Sequence, residues 1–190
     1  MPTLSLMVVL AVLQDPMPRL HAVPDSLPAC LWSRPAEMLT GLPSPPDSTI
    51  LRAGATTLKV CYSRPSVRGR RIFGEVVEYG KPWRTGANEP TFLFLSGPAE
   101  IAGVSLEAGR YILMTVPGPD RWTILLSTST APTPVQMFGA LVEVGRGQVP
   151  VDRLDAPVER LTITAATGPE PGLVLEWEHV RVRLPVGLRR

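Results

Sequence analysis

The side chains best equipped for chemistry are concentrated between Tyr62 and Thr91. Tyr62-Ser63-Arg64-Pro65-Ser66-Val67-Arg68-Gly69-Arg70-Arg71-Ile72-Phe73-Gly74 is followed, seven residues later, by Lys81-Pro82-Trp83-Arg84-Thr85-Gly86-Ala87-Asn88-Glu89-Pro90-Thr91, with an apolar strand immediately after. Arg64 and Arg70 flank Pro65 and Gly69, and Gly86 lies between Arg84 and Glu89, so tight turns can gather these groups. A guanidinium presents five donors in a planar fork that matches carboxylate or phosphate. On one reading, Arg64, Arg70 and Arg84 hold an anionic group in a concave pocket, Asn88 and Glu89 orient it, and Trp83 supplies an apolar wall. On the other, the same residues form an internal network: Arg84 pairs with Glu89, Asn88 caps a turn and Trp83 fills the edge of the core. Both readings remain open at the level of sequence.

Other chemistries find little support. The only histidines are His21 and His179, and the only cysteines, Cys30 and Cys61, lack zinc-site spacing, so neither a metal nor a cofactor is expected. There is no Gly-x-Ser-x-Gly elbow, no Walker loop and no Gly-x-Gly-x-x-Gly. Cys61 with His179 is formally a nucleophile and base, but a strand cysteine and a lone histidine read better as structural. Glu176 and Glu178 share a strand face, expected to be solvated. Asp152, Asp155 and Glu159 read as surface charge in a proline-bearing loop. The net charge is +2, and only Arg68, Arg70 and Arg71 cluster, without interleaved aromatics, so nucleic acid is not an expected partner.

These residues need a scaffold, and 22 prolines and 16 glycines in 190 residues favour short strands and turns over long helices. Leu58, Val60 and Tyr62 alternate with Lys59, Cys61 and Ser63, as on a strand with one buried face. Phe92-Leu93-Phe94-Leu95 is apolar on both faces, as in a central strand. Arg110 to Ser127 reads as a hairpin around Pro117-Gly118-Pro119-Asp120. Ile72, Phe73, Val76 and Val77 have helical spacing and predict one short helix, weakened by Gly74. Phe138, Leu141 and Val142 permit a helical turn within 131–147, although Pro132, Pro134 and Gly145 favour irregular structure. Trp177 continues an odd-numbered inward set, whereas Val180, Val182 and Leu184 are even, which predicts a β-bulge near Glu178-His179. The expected fold is all-β, mainly an antiparallel β-sandwich or partly closed barrel, with one short helix. A single β-rich domain is assigned to 55–186, with regular structure beginning after Gly54. It follows a proline-rich extended segment at 23–54 and precedes a basic tail at 187–190.

Leu4 to Leu13 is an apolar run of about ten residues, short of the ~20 that span a bilayer but suited to a signal peptide. Residues 1–22 are read as an atypical signal or apolar arm, since Met1-Pro2-Thr3 carries no basic residue. The expected location is periplasmic or extracellular, with no transmembrane span. In an oxidising compartment Cys30 and Cys61 could pair; otherwise they remain thiols. Leu27-Pro28-Ala29-Cys30 has the look of a lipoprotein processing box, but lies far beyond the apolar run.

The ordered blocks Ser44-Pro45-Pro46, Tyr62-Ser63-Arg64-Pro65-Ser66, Gly69-Arg70, Ile72-Phe73-Gly74 and Trp83 to Glu89 resemble a bacterial domain-of-unknown-function family, numbered twenty-nine eleven. Further matches are Leu106 to Tyr111, Trp122-Thr123-Ile124, Val158 to Ile163 and Leu175-Glu176-Trp177-Glu178, so that the resemblance covers about residues 43 to 186. It implies an exported, mostly β protein, joined in some relatives to helical repeats, and carries no assigned activity. This chain departs from the family pattern at Met137-Phe138-Gly139, where the resemblance leads one to expect Trp-Gly with tyrosines nearby. Two function classes follow. One is a cell-envelope binding or interaction module for a small anionic, glycan or peptide ligand. The other is an enzyme of hydrolase or lyase type, with Glu89 as acid or base and arginines stabilising negative charge. It lacks an identifiable second proton-transfer group. A purely structural domain is the third reading.

Overall fold

The computed structural model describes residues 27–32, 38–39, 41–53, 56–131 and 133–188. The signal-like arm assigned to 1–22 lies outside them. Among the described residues the fold is nearly all β: β1 (Pro46–Ala53), β2 (Thr56–Ser63), β3 (Thr91–Leu95), β4 (Ala99–Ile101), β5 (Val104–Leu106), β6 (Gly109–Val116), β7 (Arg121–Ser129), β8 (Leu141–Ala166) and β9 (Gly172–Leu188). They form a nine-stranded sheet in the order β1-β2-β3-β6-β7-β8-β9-β4-β5, with antiparallel pairings throughout. The order is open, but the segment leaving β2 returns to β8. Val67 N–H donates to Glu159 O at 2.8 Å and Leu161 N–H to Pro65 O at 3.0 Å, with Ser66 bridged to Arg160 between them. This seam completes a circuit through β2, β3, β6, β7 and β8. Among the described residues, no helix is long and apolar enough to cross a membrane.

The alternation of side chains along β3 divides the interior. Leu93 and Leu95 join the main core with Leu58, Val60, Trp122, Ile163, Trp177 and Val182. Phe92 and Phe94 point the other way, into a smaller cluster with Cys61, Ile112 and Met137. Leu27, Leu31 and Trp32 pack over this second cluster. Cys30 and Cys61 are joined by a disulfide, with Cα atoms 5.6 Å apart. Closing a loop of this length corresponds to about 3–4 kcal/mol in the chain-entropy model.

The β6–β7 hairpin and the fully buried β3 agree with the sequence reading. The helix predicted from Ile72, Phe73, Val76 and Val77 does not form. Gly74 has φ +97°, Val77 N–H donates to Ile72 O at 2.9 Å, and Gly74 N–H donates to Val77 O at 2.8 Å, so the segment is a compact turn. The turn buries Ile72, Phe73 and Val77 while Val76 faces solvent, which is why its apolar spacing imitated a helix. Helical structure lies instead at α1 (Pro134–Met137), followed by a 3-10 turn at Phe138–Ala140. Regular structure also begins before Gly54: β1 occupies the second half of the proline-rich segment, as an edge strand whose polar residues conceal its periodicity. Asp152, Asp155 and Glu159 lie on β8, not in a loop.

Pairing is irregular where the bulge was expected, but the surplus residues lie on β8 and not on β9, since Arg153 to Val158 faces only Val180 to Glu178. Register shifts between Arg153 and Val158, and again before Thr162, opposite a Glu178 held at φ +54°. Trp177 and Val180 both reach the core in consequence. The first half of β8 carries a different constraint: a Cβ on Gly147 would lie 1.9 Å from Ala102 O, because the β4–β5 turn is seated on that backbone.

Candidate functional site

The loop from Trp83 to Glu89 is fastened to the sheet at its start. Trp83 N–H donates to Thr115 O at 2.7 Å, and Thr115 N–H donates back to Trp83 O at 2.8 Å. The Trp83 ring stacks on Trp177, with centroids 5.7 Å apart, and meets Phe73 and Trp122 edge-on. Its Nε1–H donates to Gly86 O at 3.0 Å, which curls the loop back over the ring. Thr85 is buried in the left-handed region at φ +54°, 3.1 Å from Thr115 between the two hydroxyl oxygens. Its carbonyl accepts from Thr91 Oγ1 at 2.9 Å. Gly86 passes close to β2; a Cβ there would lie 3.1 Å from Ser63 O.

At the outer turn, Arg84 Nη1 donates to Asn88 O at 2.7 Å. Asn88, at φ +59°, donates from Nδ2 to Ser44 O at 3.2 Å. Glu89 is only 5% exposed, beneath the exposed Arg84 and Asn88.

The second arginine loop approaches the same segment. Arg68 Nη2 donates to Pro43 O at 3.3 Å, and Arg64 N–H donates to Pro45 O at 2.8 Å. Three consecutive carbonyls, those of Pro43, Ser44 and Pro45, are thus held by Arg68, Asn88 and the Arg64 backbone. The blocks Ser44-Pro45-Pro46, Tyr62 to Ser66 and Trp83 to Glu89, separate in sequence, are partners in space. Arg68 was read from sequence only as part of a small basic cluster and not as a site residue; its φ of +51° is a turn signature that arginine does not announce.

Arg64 and Arg70, the other two arginines of the candidate site, both engage the protein's own backbone. Arg64 Nε donates to Leu161 O at 3.0 Å, Nη2 donates to Thr162 Oγ1 at 2.8 Å, and Nη1 lies 3.2 Å from Asp47 Oδ2. It therefore ties β2 to β1 and β8. Arg70 wraps its own loop, donating from Nε to Val67 O at 3.0 Å and from Nη2 to Ser66 O at 2.8 Å, yet it is exposed. Beside Arg64, Tyr62 Oη accepts from Ile163 N–H at 2.9 Å. Burial is the main reason that its phenol is pushed up to about 12, and the nearby Asp47 carboxylate adds to the effect.

Cys61 is consumed by the disulfide and His179 Nδ1 lies 3.0 Å from Leu154 O, so the formal cysteine–histidine pair does not exist. Glu178, expected on a solvated face, instead accepts from Ile72 N–H at 3.3 Å and from Phe73 N–H at 3.5 Å. The bulge turns its carboxylate towards the 72–77 turn. Among the described residues, no group of histidine, cysteine, aspartate or glutamate is arranged to hold a metal ion.

A family model described as a protein of unknown function, DUF2911, matches residues 44–186. No curated protein and no solved structure matches the chain.

Proposed function

The chain belongs to the DUF2911 family, and we propose that it is an exported cell-envelope binding module that takes an anionic group on a small molecule, glycan or peptide. The observation that carries this reading is the convergence of the two arginine loops on the consecutive carbonyls of Pro43, Ser44 and Pro45. Arg68, Arg70 and Arg84 are exposed at the surface of these loops, each with a guanidinium nitrogen on a loop carbonyl that fixes where the charge sits. A rigid rim of guanidinium groups is suited to carboxylate or phosphate. The Cys30–Cys61 disulfide supports an oxidising, extracytoplasmic compartment. The burial of Glu89 weighs against the enzyme reading, because an acid or base must reach its substrate.

The test is calorimetric titration of the oxidised protein with a phosphorylated sugar, a uronic-acid oligosaccharide and an acidic peptide. At least one is expected to bind, more weakly at high salt. Arg70→Gln combined with Arg68→Gln is expected to weaken that binding about tenfold or more, on the scale of lost charge-assisted hydrogen bonds. Unfolding measured in parallel separates loss of contact from loss of fold. Unchanged affinity in a folded double variant, or no binding by any probe, would reject the proposal.

A further inference from the structure

A second feature lies on the opposite face of β3, remote from the arginine loops in function and independent of the ligand reading. Cys61, Phe92, Phe94, Ile112 and Met137 form a buried apolar cluster there. Residues 27–32 cover it without forming any helix or strand. Leu27, Leu31 and Trp32 pack on the cluster while remaining half-buried themselves. Lys59 Nζ donates to Pro28 O at 3.0 Å, in an exposed hydrogen bond. The covalent tie is the Cys30–Cys61 disulfide, in which Cys61 is fully buried and Cys30 half-buried. The family match starts at residue 44, so the covered face belongs to the family domain while its cover comes from outside the matched region.

We propose that residues 27–32 are a redox-latched strap, and that breaking the Cys30–Cys61 bond uncovers an apolar face of the sheet while the main core stays folded. The physical basis is the contrast between the two covers of β3. The inner face is sealed mainly by strands locked in ladders, whereas the outer one is covered, beside Met137 and Leu141, by an irregular segment held through side-chain packing, the Lys59–Pro28 hydrogen bond and one covalent bond. Local opening is drawn from regions of that kind. The reductant is a dithiol. One thiolate attacks the sulfur of Cys30, the less buried of the two cysteines, and Cys61 leaves as a thiolate. The second thiol of the reductant then attacks the mixed disulfide and releases Cys30. Two electrons pass to the protein, the reductant becomes a cyclic disulfide, and the two protein thiolates take up protons according to pH.

The test uses the full chain. Oxidised protein is reduced with dithiothreitol in native buffer while binding of an apolar dye, anilinonaphthalene sulfonate, and near-ultraviolet circular dichroism are followed. Dye fluorescence is expected to rise about fivefold or more as apolar surface opens locally. The dichroism of the Trp83–Trp122–Trp177 cluster, which lies in and against the main core, is expected to persist. A Cys30→Ala variant provides a second measurement, because Cys61 is then a thiol reporting directly on its cover. Its alkylation by iodoacetamide is expected to come within about tenfold of a free peptide thiol at the same pH, as exposure controls thiol reactivity. An alkylation rate suppressed about a hundredfold or more in the folded variant would show the strap staying down without its latch, and would overturn the proposal. Loss of the tryptophan dichroism on reduction would also overturn it, by making the disulfide a staple for the whole domain.

Discussion

Tyr62 Oη accepts a hydrogen bond from the backbone N–H of Ile163 at 2.9 Å, joining the end of β2 to β8 through the interior. Burial raises the phenol from an ordinary 10.0 to about 12, so the folded state holds the proton more tightly than the unfolded chain. The corresponding stability is fully present below pH ~10 and is lost as pH rises through about 12. Denaturant unfolding across that range is expected to show falling stability in the wild type. Tyr62→Phe should remove most of that slope, while costing about 1–3 kcal/mol at neutral pH because Ile163 N–H is left unsatisfied. An identical slope in the variant would assign the pH dependence to other groups.

Arg64 is the polar rivet of the same seam. Its side chain is 28% exposed and engages Asp47, Leu161 O and Thr162 together. Arg64→Ala is expected to cost about 2–3 kcal/mol, leaving a carbonyl and a carboxylate without their charge-assisted partner. For a chain of this size that lowers the melting temperature by about 4–12 °C. Arg64→Lys should recover only part of the loss, since an ammonium cannot reproduce the three-way fork. A melting temperature within about 1 °C of wild type in Arg64→Ala would remove the seam from the account of stability.

Gly147 offers a steric test of how β4 and β5 are seated. A Cβ at this position would meet the backbone oxygen of Ala102 at 1.9 Å, so the turn must lift off β8 to admit it. Gly147→Ala is expected to destabilise the protein by about 3 kcal/mol or more, at or beyond the upper end of ordinary overpacking. Gly139→Ala, where the added methyl meets nothing within 4 Å, serves as the control and should change stability by less than about 0.5 kcal/mol. Thermal melts of the two variants side by side decide the matter.

Glu178 combines a strained backbone with a capping carboxylate. It sits at φ +54° and receives the N–H groups of Ile72 and Phe73. Glu178→Ala should lose both hydrogen bonds and keep the strain, costing about 2 kcal/mol. Glu178→Gly should be less harmful, because glycine relieves the backbone while losing the same acceptor. Equal losses in the two variants would locate the effect in the carboxylate alone.

The sequence was legible wherever burial imposes a simple period. Trp122, Ile124 and Leu126 alternate because one face of β7 is inside, and the phase change between Trp177 and Val180 located the irregular pairing, though not the strand that carries the surplus residues. The turn at 72–77 was misread because Ile72, Phe73 and Val77 are buried by tertiary contacts and not by a helical face. β1 was missed because an edge strand needs less apolar patterning than a central one. The candidate site was half legible. Residue types marked the two arginine loops, but their meeting depends on hydrogen bonds to the carbonyls of 43–45, which carry no side-chain signature at all.

The seam between β2 and β8 also bears on how the chain reaches this structure. Arg64 and Leu161 are 97 residues apart along the sequence, whereas the β6–β7 hairpin closes across one short turn. The hairpin can form early, but the seam must wait until the intervening strands have shortened the distance its ends must cover. Folding governed by such distant pairings falls in the milliseconds-to-seconds range typical of β-rich domains. Substitutions at the seam should therefore act mainly by speeding unfolding, leaving the folding rate close to that of the wild type.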